Sequence, residues 1–254
     1  MFFIFVKTDQ MIIPPDKDPM GTAMLDYLNG NHDENIIVRS DISEDDFIPV
    51  NYLFRNFDQM PELEQKALLL CHGRVLDIGA GSGSHSLYLQ KKGIDITAID
   101  ISENACKCCK QRGIKNIVNA DIFTYQPREK YDTLLLMMNG IGFTGTLSGL
   151  DKFLQKAKEL LNPGGQILLD SSDIKYMFTG DPEAMDEIEN NPELPYYGEV
   201  TYIMEYKETT SDPFKWLFVD ADILKKKAKE NGFKFSLLHE GSNNDYLTKI
   251  TYLY

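Results

Sequence analysis

Nine residues from Val75 to Gly83, Val-Leu-Asp-Ile-Gly-Ala-Gly-Ser-Gly, leave few folds open to this chain. An apolar strand runs into glycines at alternate positions, and Ser84–Lys92 then reads as a helix closed by Gly93. Without a Cβ, glycine lets the main chain turn sharply and come within contact distance of a ligand. Asp100 ends the next strand, Ile94–Ile99, about 20 residues beyond Gly79, where a carboxylate can accept from both hydroxyls of a ribose. A glycine turn followed by such an acid implies a nucleoside-containing ligand at the C-terminal edge of a doubly wound sheet.

The remaining pattern agrees. Glu103–Gln111 is helical and Gly113 caps it, Ile117-Val118 is a short strand, and Tyr131–Met138 is a long strand apolar on both faces. The helix Gly149–Leu161 stops at Asn162-Pro163-Gly164-Gly165, and Gln166–Asp170 is the next strand. Continuously apolar strands alternating with helices mean a parallel sheet covered on both faces. Towards the end, Val200–Lys207 and Phe214–Phe218 alternate with period two around the turn Thr210–Pro213, a hairpin inserted at about 196–219. The helix Ala221–Glu230 follows, then strands Lys234–His239 and Tyr246–Tyr252, whose short connection permits only an antiparallel pair.

The expected fold is therefore α/β: a doubly wound, seven-stranded, mostly parallel sheet with an antiparallel last strand, plus an N-terminal helical cover and an inserted β-hairpin. Residues 1–19 read as a tail, 20–72 as the cover and 73–254 as the core. Within the cover, Met24–Leu28 is helical, Asn35–Arg39 is a short strand, Ser43–Asp46 is an acidic link, and a helix starts at Pro61.

Composition narrows the partners. With 39 acidic against 26 basic residues, the net charge of −13 opposes a phosphate backbone. Lys225-Lys226-Lys227 is too small a run to make a nucleic-acid footprint. No window approaches the roughly 18 apolar residues of a membrane span, so no membrane is expected. Phe2–Val6, stopped by Lys7 and Asp9, reads as part of the tail rather than a targeting signal. Cys106, Cys108 and Cys109 crowd one helix, and Cys71 stands apart. They read as small buried hydrophobes in a reducing cytoplasm, with no metal site.

Which nucleoside ligand is meant turns on detail. A dinucleotide fingerprint wants its third glycine at position 84, which is Ser84. The spacing here is Gly-x-Gly-x-Gly with Asp77 inside the strand. Together with Asp100, Asn119-Ala120-Asp121-Ile122, the strand Tyr131–Leu136 and Leu160–Gly165 leading into a strand, the stretch 74–170 resembles the class I S-adenosylmethionine-dependent methyltransferases. The resemblance implies a Rossmann-like fold and S-adenosyl-L-methionine as cofactor. It also implies that Gly79, Ala80 and Gly81, in the loop closed by Gly83, lie against the methionine and ribose. Asp77 would anchor that loop and reach the amino group, Asp100 would hold the ribose hydroxyls, and Ile101 would pack on adenine. Asp121 would accept from the adenine amino group with Ile122 as backbone partner, and Asn139-Gly140 would face cofactor and substrate. Met138–Phe143 departs from the Asn/Asp-Pro-Pro-Tyr/Phe pattern of amino-group DNA and protein methylators, which leaves the acceptor open.

The expected reaction is methyl transfer to a small molecule enclosed by the cover and the hairpin. The cover would contribute Tyr52 and Arg55, the latter able to pair with the methionine carboxylate, and the hairpin would contribute Tyr197 and Trp216. His85, in the first turn after the loop, is the candidate base if the acceptor has a proton to lose. Methylation of a protein tail, a non-catalytic cofactor-binding module and an NAD-dependent oxidoreductase are the alternatives. The sequence carries no signature of oligomeric state.

Overall fold

The computed structural model describes residues 12–32, 34–178 and 194–253; the Phe2–Val6 run lies outside them. Among the described residues, the α-helices in chain order are α1 (Pro19–Leu28), α2 (Glu62–Leu70), α3 (Ser84–Lys91), α4 (Glu103–Gln111), α5 (Leu147–Leu160) and α6 (Ala221–Glu230). The main sheet is built from β3 (Arg74–Ile78), β4 (Asp95–Asp100), β5 (Ile117–Asn119), β6 (Tyr131–Leu136), β7 (Leu161–Ser172), β11 (Phe233–Glu240) and β12 (Asp245–Tyr252). Their order is β11-β12-β7-β6-β3-β4-β5. β3 to β7 pair in parallel, β12 runs antiparallel between β7 and β11, and so β11 again points with the parallel set. This is the seven-stranded sheet expected from the sequence.

Period-two projection sorts the strand residues into two cores. Leu76, Leu134, Leu136 and Ile167 face α5 and α6, where Phe153, Leu154, Leu224 and Ala228 are buried. Val75, Leu135, Leu168 and Leu247 face the other way, onto Leu63, Ala67 and Leu68 of α2 and Leu89 of α3. Strands buried on both faces explain the unbroken apolar runs. Helix starts are fixed locally: Ser102 caps α4, Thr146 caps α5 and Asp220 caps α6 through their side-chain oxygens.

The N-terminal region is not helical throughout. Besides α1 and α2 it holds β1 (Asn35–Ser40) and β2 (Asp46–Pro49), the latter where only an acidic link was expected. The predicted hairpin forms as β8 (Glu199–Tyr206) and β10 (Phe214–Leu217), with the two-residue β9 (Thr209–Thr210) at its bend. β8 also pairs antiparallel with β1, Val38 opposite Met204 and Arg39 opposite Ile203, giving a second sheet of order β10-β8-β1-β2. Cover and hairpin are thus one sheet rather than two separate lids. Its apolar face, Ile36, Val38 and Tyr206 among others, closes on Ala23 of α1 and on Val50.

Candidate active site

All five parallel strands end on one edge, and the site is built there. The turn after β3 has Gly79, Gly81 and Gly83 at φ of +72°, +55° and +79°, which side chains rarely adopt. The three are not equivalent. A Cβ on Gly83 would overlap the Ile114 side chain and stand 2.9 Å from Cys109 Sγ, so its bareness is a packing need between the turn and α4. Among the described residues, a Cβ on Gly79 would meet nothing within 4 Å, and one on Gly81 only Met24 Sδ at 3.8 Å and Gly79 O at 4.0 Å. None of their atoms fills that side of the turn, which is where a ligand has room.

Asp100 locks the turn in place. Its Oδ2 accepts from Gly81 N at 2.9 Å and its Oδ1 from Ser102 N at 2.8 Å, while Gly79 N and Ala80 N donate to Ile99 O. Burial, partly offset by those two bonds, pushes the Asp100 carboxyl up to about 6. Asp77, buried in β3, accepts from Ser86 Oγ at 2.7 Å and is likewise raised by burial. Ile101 is half-buried, and its carbonyl accepts from Ile13 N at 3.2 Å. Asp121 accepts from Phe123 N at 2.9 Å to start a turn, and Ile122 sends its side chain into the core.

The cover reaches the turn through contacts that sequence reading missed. Ser82 Oγ and Ser84 Oγ both donate to Leu53 O, and Arg112 Nη1 donates to Ser82 O at 2.7 Å while its guanidinium lies 4.8 Å from the Phe54 ring centroid. This seats the 3₁₀ segment Val50–Phe54 beside the glycines and brings Tyr52 and Arg55 to the strand ends. Arg55 stacks on Tyr52, 3.6 Å from its centroid, and donates to Glu64 Oε1 at 2.7 Å. Glu64 Oε2 bonds His85 Nε2 at 2.8 Å, so one buried carboxylate joins Arg55 and His85. Burial draws the His85 pKa down, but the Glu64 bond and the charges of Asp77, Glu64 and Asp170 outweigh it and leave it raised. Arg55 Nε and Nη1 are buried and have no partner among the described residues.

Beside this trio a cleft of about 330 Å³ opens at the ends of β6, β7 and β12. Tyr52 and Glu64 line it from the cover, Met138 and Asn139 from the end of β6, Asp170 from β7 and Asp245 from β12. Met138 and Asn139 stand at φ of +62° and +54°, consecutive left-handed residues where the strand breaks off. Asp170 Oδ2 holds that bend by accepting from Asn139 N at 2.9 Å, and Asn139 Nδ2 donates to Leu217 O of β10 at 3.3 Å. Asp170 Oδ1 and Asn139 Oδ1 are buried without partners among the described residues. Gly140 opens the next 3₁₀ turn.

Tyr197 and Trp216 are not in this cleft, contrary to expectation. Tyr197 Oη donates to Asp173 Oδ1 at 2.8 Å and Trp216 packs its indole against Gly142, so both fasten the hairpin to the core. Glu64 and Asp170 are the reverse case. Glu64 read as a first-turn helix acid; Asp170 ended a strand at the ligand edge of the sheet, which was the available signal. Among the described residues no acidic, histidine or cysteine group could hold a metal ion, and the four cysteines are free thiols.

Comparison with known proteins agrees with this fold. A family model described as a methyltransferase domain matches residues 75–165. The crystal structure of an S-adenosylmethionine-dependent methyltransferase from Bacteroides fragilis, in complex with S-adenosyl-L-homocysteine, is 40% identical. The match covers 96% of this chain and 99% of that one, with a TM-score of 0.87. The CcbJ methyltransferase from Streptomyces caelestis, 12% identical over 79% of this chain and 93% of its own, shares the fold at a TM-score of 0.56. A protein of Geobacillus sp. (strain WCH70) named as a methyltransferase is 24% identical over 102 residues, and the chain spans 41% of its length. The chain belongs to the S-adenosylmethionine-dependent methyltransferases. It is a methyl-transferring enzyme with S-adenosyl-L-methionine as its cofactor, and the oxidoreductase and non-catalytic alternatives fall away.

Proposed function

We propose that the acceptor is a small molecule bound in the cleft beside the glycine turn. The observation that carries this reading is the cleft itself. Its 330 Å³ lie within the range of small-ligand sites, and its wall combines an apolar part with a few converging polar groups. The second sheet and the Val50–Phe54 segment flank the strand ends, which suits a small acceptor better than a folded macromolecule. The −13 charge speaks against nucleic acid, and four free thiols suit a reducing cytoplasm.

In this reading the cofactor supplies an electrophilic methyl group on a sulfonium. The open side of Gly79, Ala80 and Gly81 receives its methionine and ribose, and Asp100 accepts from the ribose hydroxyls with lone pairs left over from its backbone bonds. Arg55 turns a free N–H to the methionine carboxylate, a charge-assisted pairing that satisfies one of its buried donors. Asp77 holds the turn, with Asp121, Ile122 and Ile101 at the adenine end and Asn139-Gly140 between cofactor and acceptor. His85, bound to Glu64 and buried, orients Glu64 and through it Arg55, rather than serving as a base open to the acceptor. Most of the rate comes from alignment and exclusion of water.

The test uses methyl-labelled S-adenosylmethionine and a cell extract split into small-molecule and macromolecular fractions. Label transferred to the small-molecule fraction is expected. Label found on protein alone would replace this reading with methylation of a protein tail.

A further inference from the structure

We propose that the methyl acceptor is an amine, received by the free oxygens of Asp170 and Asn139. The inference rests on the small-molecule reading above and deepens it. It starts from a mismatch of donors and acceptors in the cleft. Asp170 is 8% exposed, lines the cleft, and spends Oδ2 on Asn139 N, so Oδ1 is left without a partner among the described residues. Asn139 commits its Nδ2 to Leu217 O, and its Oδ1 is left in the same way. Both orphaned atoms are acceptors. A single ligand group that completes both must donate twice, which one hydroxyl cannot do and an amine or ammonium can.

Charge points the same way. Arg55 and His85 share the cleft-lining Glu64, while Asp170 has neither as a bonded partner. Asp245 adds a carboxylate from β12, opposite Ser172 at the end of β7. An anionic acceptor would meet three carboxylates; a cation would meet the groups suited to hold it. Position separates this place from the cofactor's. The glycine turn and Asp100 close β3 and β4, whereas Asp170 lies on β7, with β6 between.

Transfer forms an N–C bond and breaks an S–C bond, whose electron pair stays on sulfur. An ammonium has no free lone pair, so it first gives one proton to Asp170 Oδ1, and the methylated ammonium leaves as product. The proton on Asp170 then passes to water. Burial, reinforced by the Glu64 charge against the pull of the Asn139 bond, raises the Asp170 carboxyl to about 7. Relative to an ordinary carboxylate that narrows the gap to an alkylammonium by about a thousandfold.

The experiment offers matched primary amines and alcohols of the same carbon skeletons to the wild-type enzyme and to Asp170→Asn. Methylated products are read by mass spectrometry, and S-adenosylhomocysteine affinity by calorimetry. Methylation of amines but not alcohols is expected, with kcat/KM for the best amine falling about 100-fold in Asp170→Asn while S-adenosylhomocysteine affinity stays within about twofold. Should that variant melt well below the wild type, the wild-type S-adenosylhomocysteine complex decides: added amine raises its Tm and the matching alcohol does not. Methylation of the alcohols alone overturns the proposal. A drop in S-adenosylhomocysteine affinity of about tenfold in a folded Asp170→Asn also overturns it, because the carboxylate then holds the cofactor's own amino group. Transfer to neither set, with S-adenosylhomocysteine still bound, overturns the amine class alone. Failure of the wild type to bind S-adenosylhomocysteine overturns the reading beneath it.

Discussion

The two halves of the active edge are built on opposite principles. At the ends of β3 and β4, the side-chain acceptors are engaged by main chain close by: Asp100 accepts from Gly81 N and Ser102 N, and the turn folds back on Ile99 O. At the ends of β6 and β7, polar groups are gathered from Arg55, Glu64, His85, Asn139 and Asp170, and four of their buried atoms have no partner among the described residues. The first half is locally satisfied and leaves open space beside Gly79 and Gly81. The second is held by long-range contacts and keeps hydrogen-bonding capacity in reserve, which is where specificity for an acceptor can be written.

The difference can be broken most violently at Glu64. Its carboxylate bonds both the Arg55 guanidinium and the His85 ring in the interior. Glu64→Ala leaves buried charge uncompensated and is expected to lower unfolding stability by about 3–5 kcal/mol. Urea unfolding measures it. A loss under about 1 kcal/mol would mean that the trio contributes no more than a surface pair.

Next in size is the glycine turn. Gly81→Val places a branched side chain on the open side of the turn at a φ of +55°. S-adenosylhomocysteine affinity should fall by more than about 100-fold, or roughly 3 kcal/mol. Gly83→Ala is the contrast: it forces Ile114 and Cys109 aside, so its main effect is an overpacking loss of about 1–3 kcal/mol in stability. Equal effects of the two on binding and on melting would erase the distinction between a ligand-facing and a packing glycine.

What could be read in advance follows the same division. The strand from Val75, the glycines and Asp100 are near one another in sequence, so periodicity and spacing were enough to find them. The seven-stranded sheet followed because its strands announce themselves by apolar runs. The second sheet did not, because Val38 meets Met204 across the length of the chain and nothing local in Asn35–Ser40 names its partner. Glu64 looked like a helix-start acid because its first-turn position already explained it. Tyr197 and Trp216 were drawn to the pocket by their type, but their hydroxyl and indole are used to fix the hairpin.

A smaller effect is expected at Asp100. Asp100→Ala removes the acceptor for ribose hydroxyls, each charge-assisted bond being worth about 1.5–3 kcal/mol. Affinity for S-adenosylhomocysteine should drop at least about tenfold while the far-ultraviolet circular dichroism is unchanged. Wild-type affinity in that variant would remove Asp100 from the cofactor site.

The smallest effect separates the halves by pH. Burial raises the Asp100 carboxyl to about 6 and Asp170 to about 7. Each binds its proton more tightly folded than unfolded, where a carboxyl titrates near 3.9. Between the unfolded and folded values the native state holds the extra proton, so stability falls as pH rises through that window. His85 is raised as well, so its contribution is full below about 6.5 and is likewise lost as pH rises. All three slopes have one sign, and the ligand-free enzyme should melt higher at pH 6 than at pH 8. The gain is about 1 kcal/mol per pH unit for each titrating group, or roughly 2–4 °C in Tm. Between pH 6 and 7 Asp170 releases more of its stabilisation than Asp100, whose midpoint lies at the lower edge of that interval. Asp170→Asn should therefore flatten the melting profile there more than Asp100→Asn does, and Asp100→Asn should act most at lower pH. Thermal melts of the wild type and both variants at closely spaced pH values measure this. Profiles that flatten alike in the two variants would show the carboxylates to be one coupled group rather than two separately built edges.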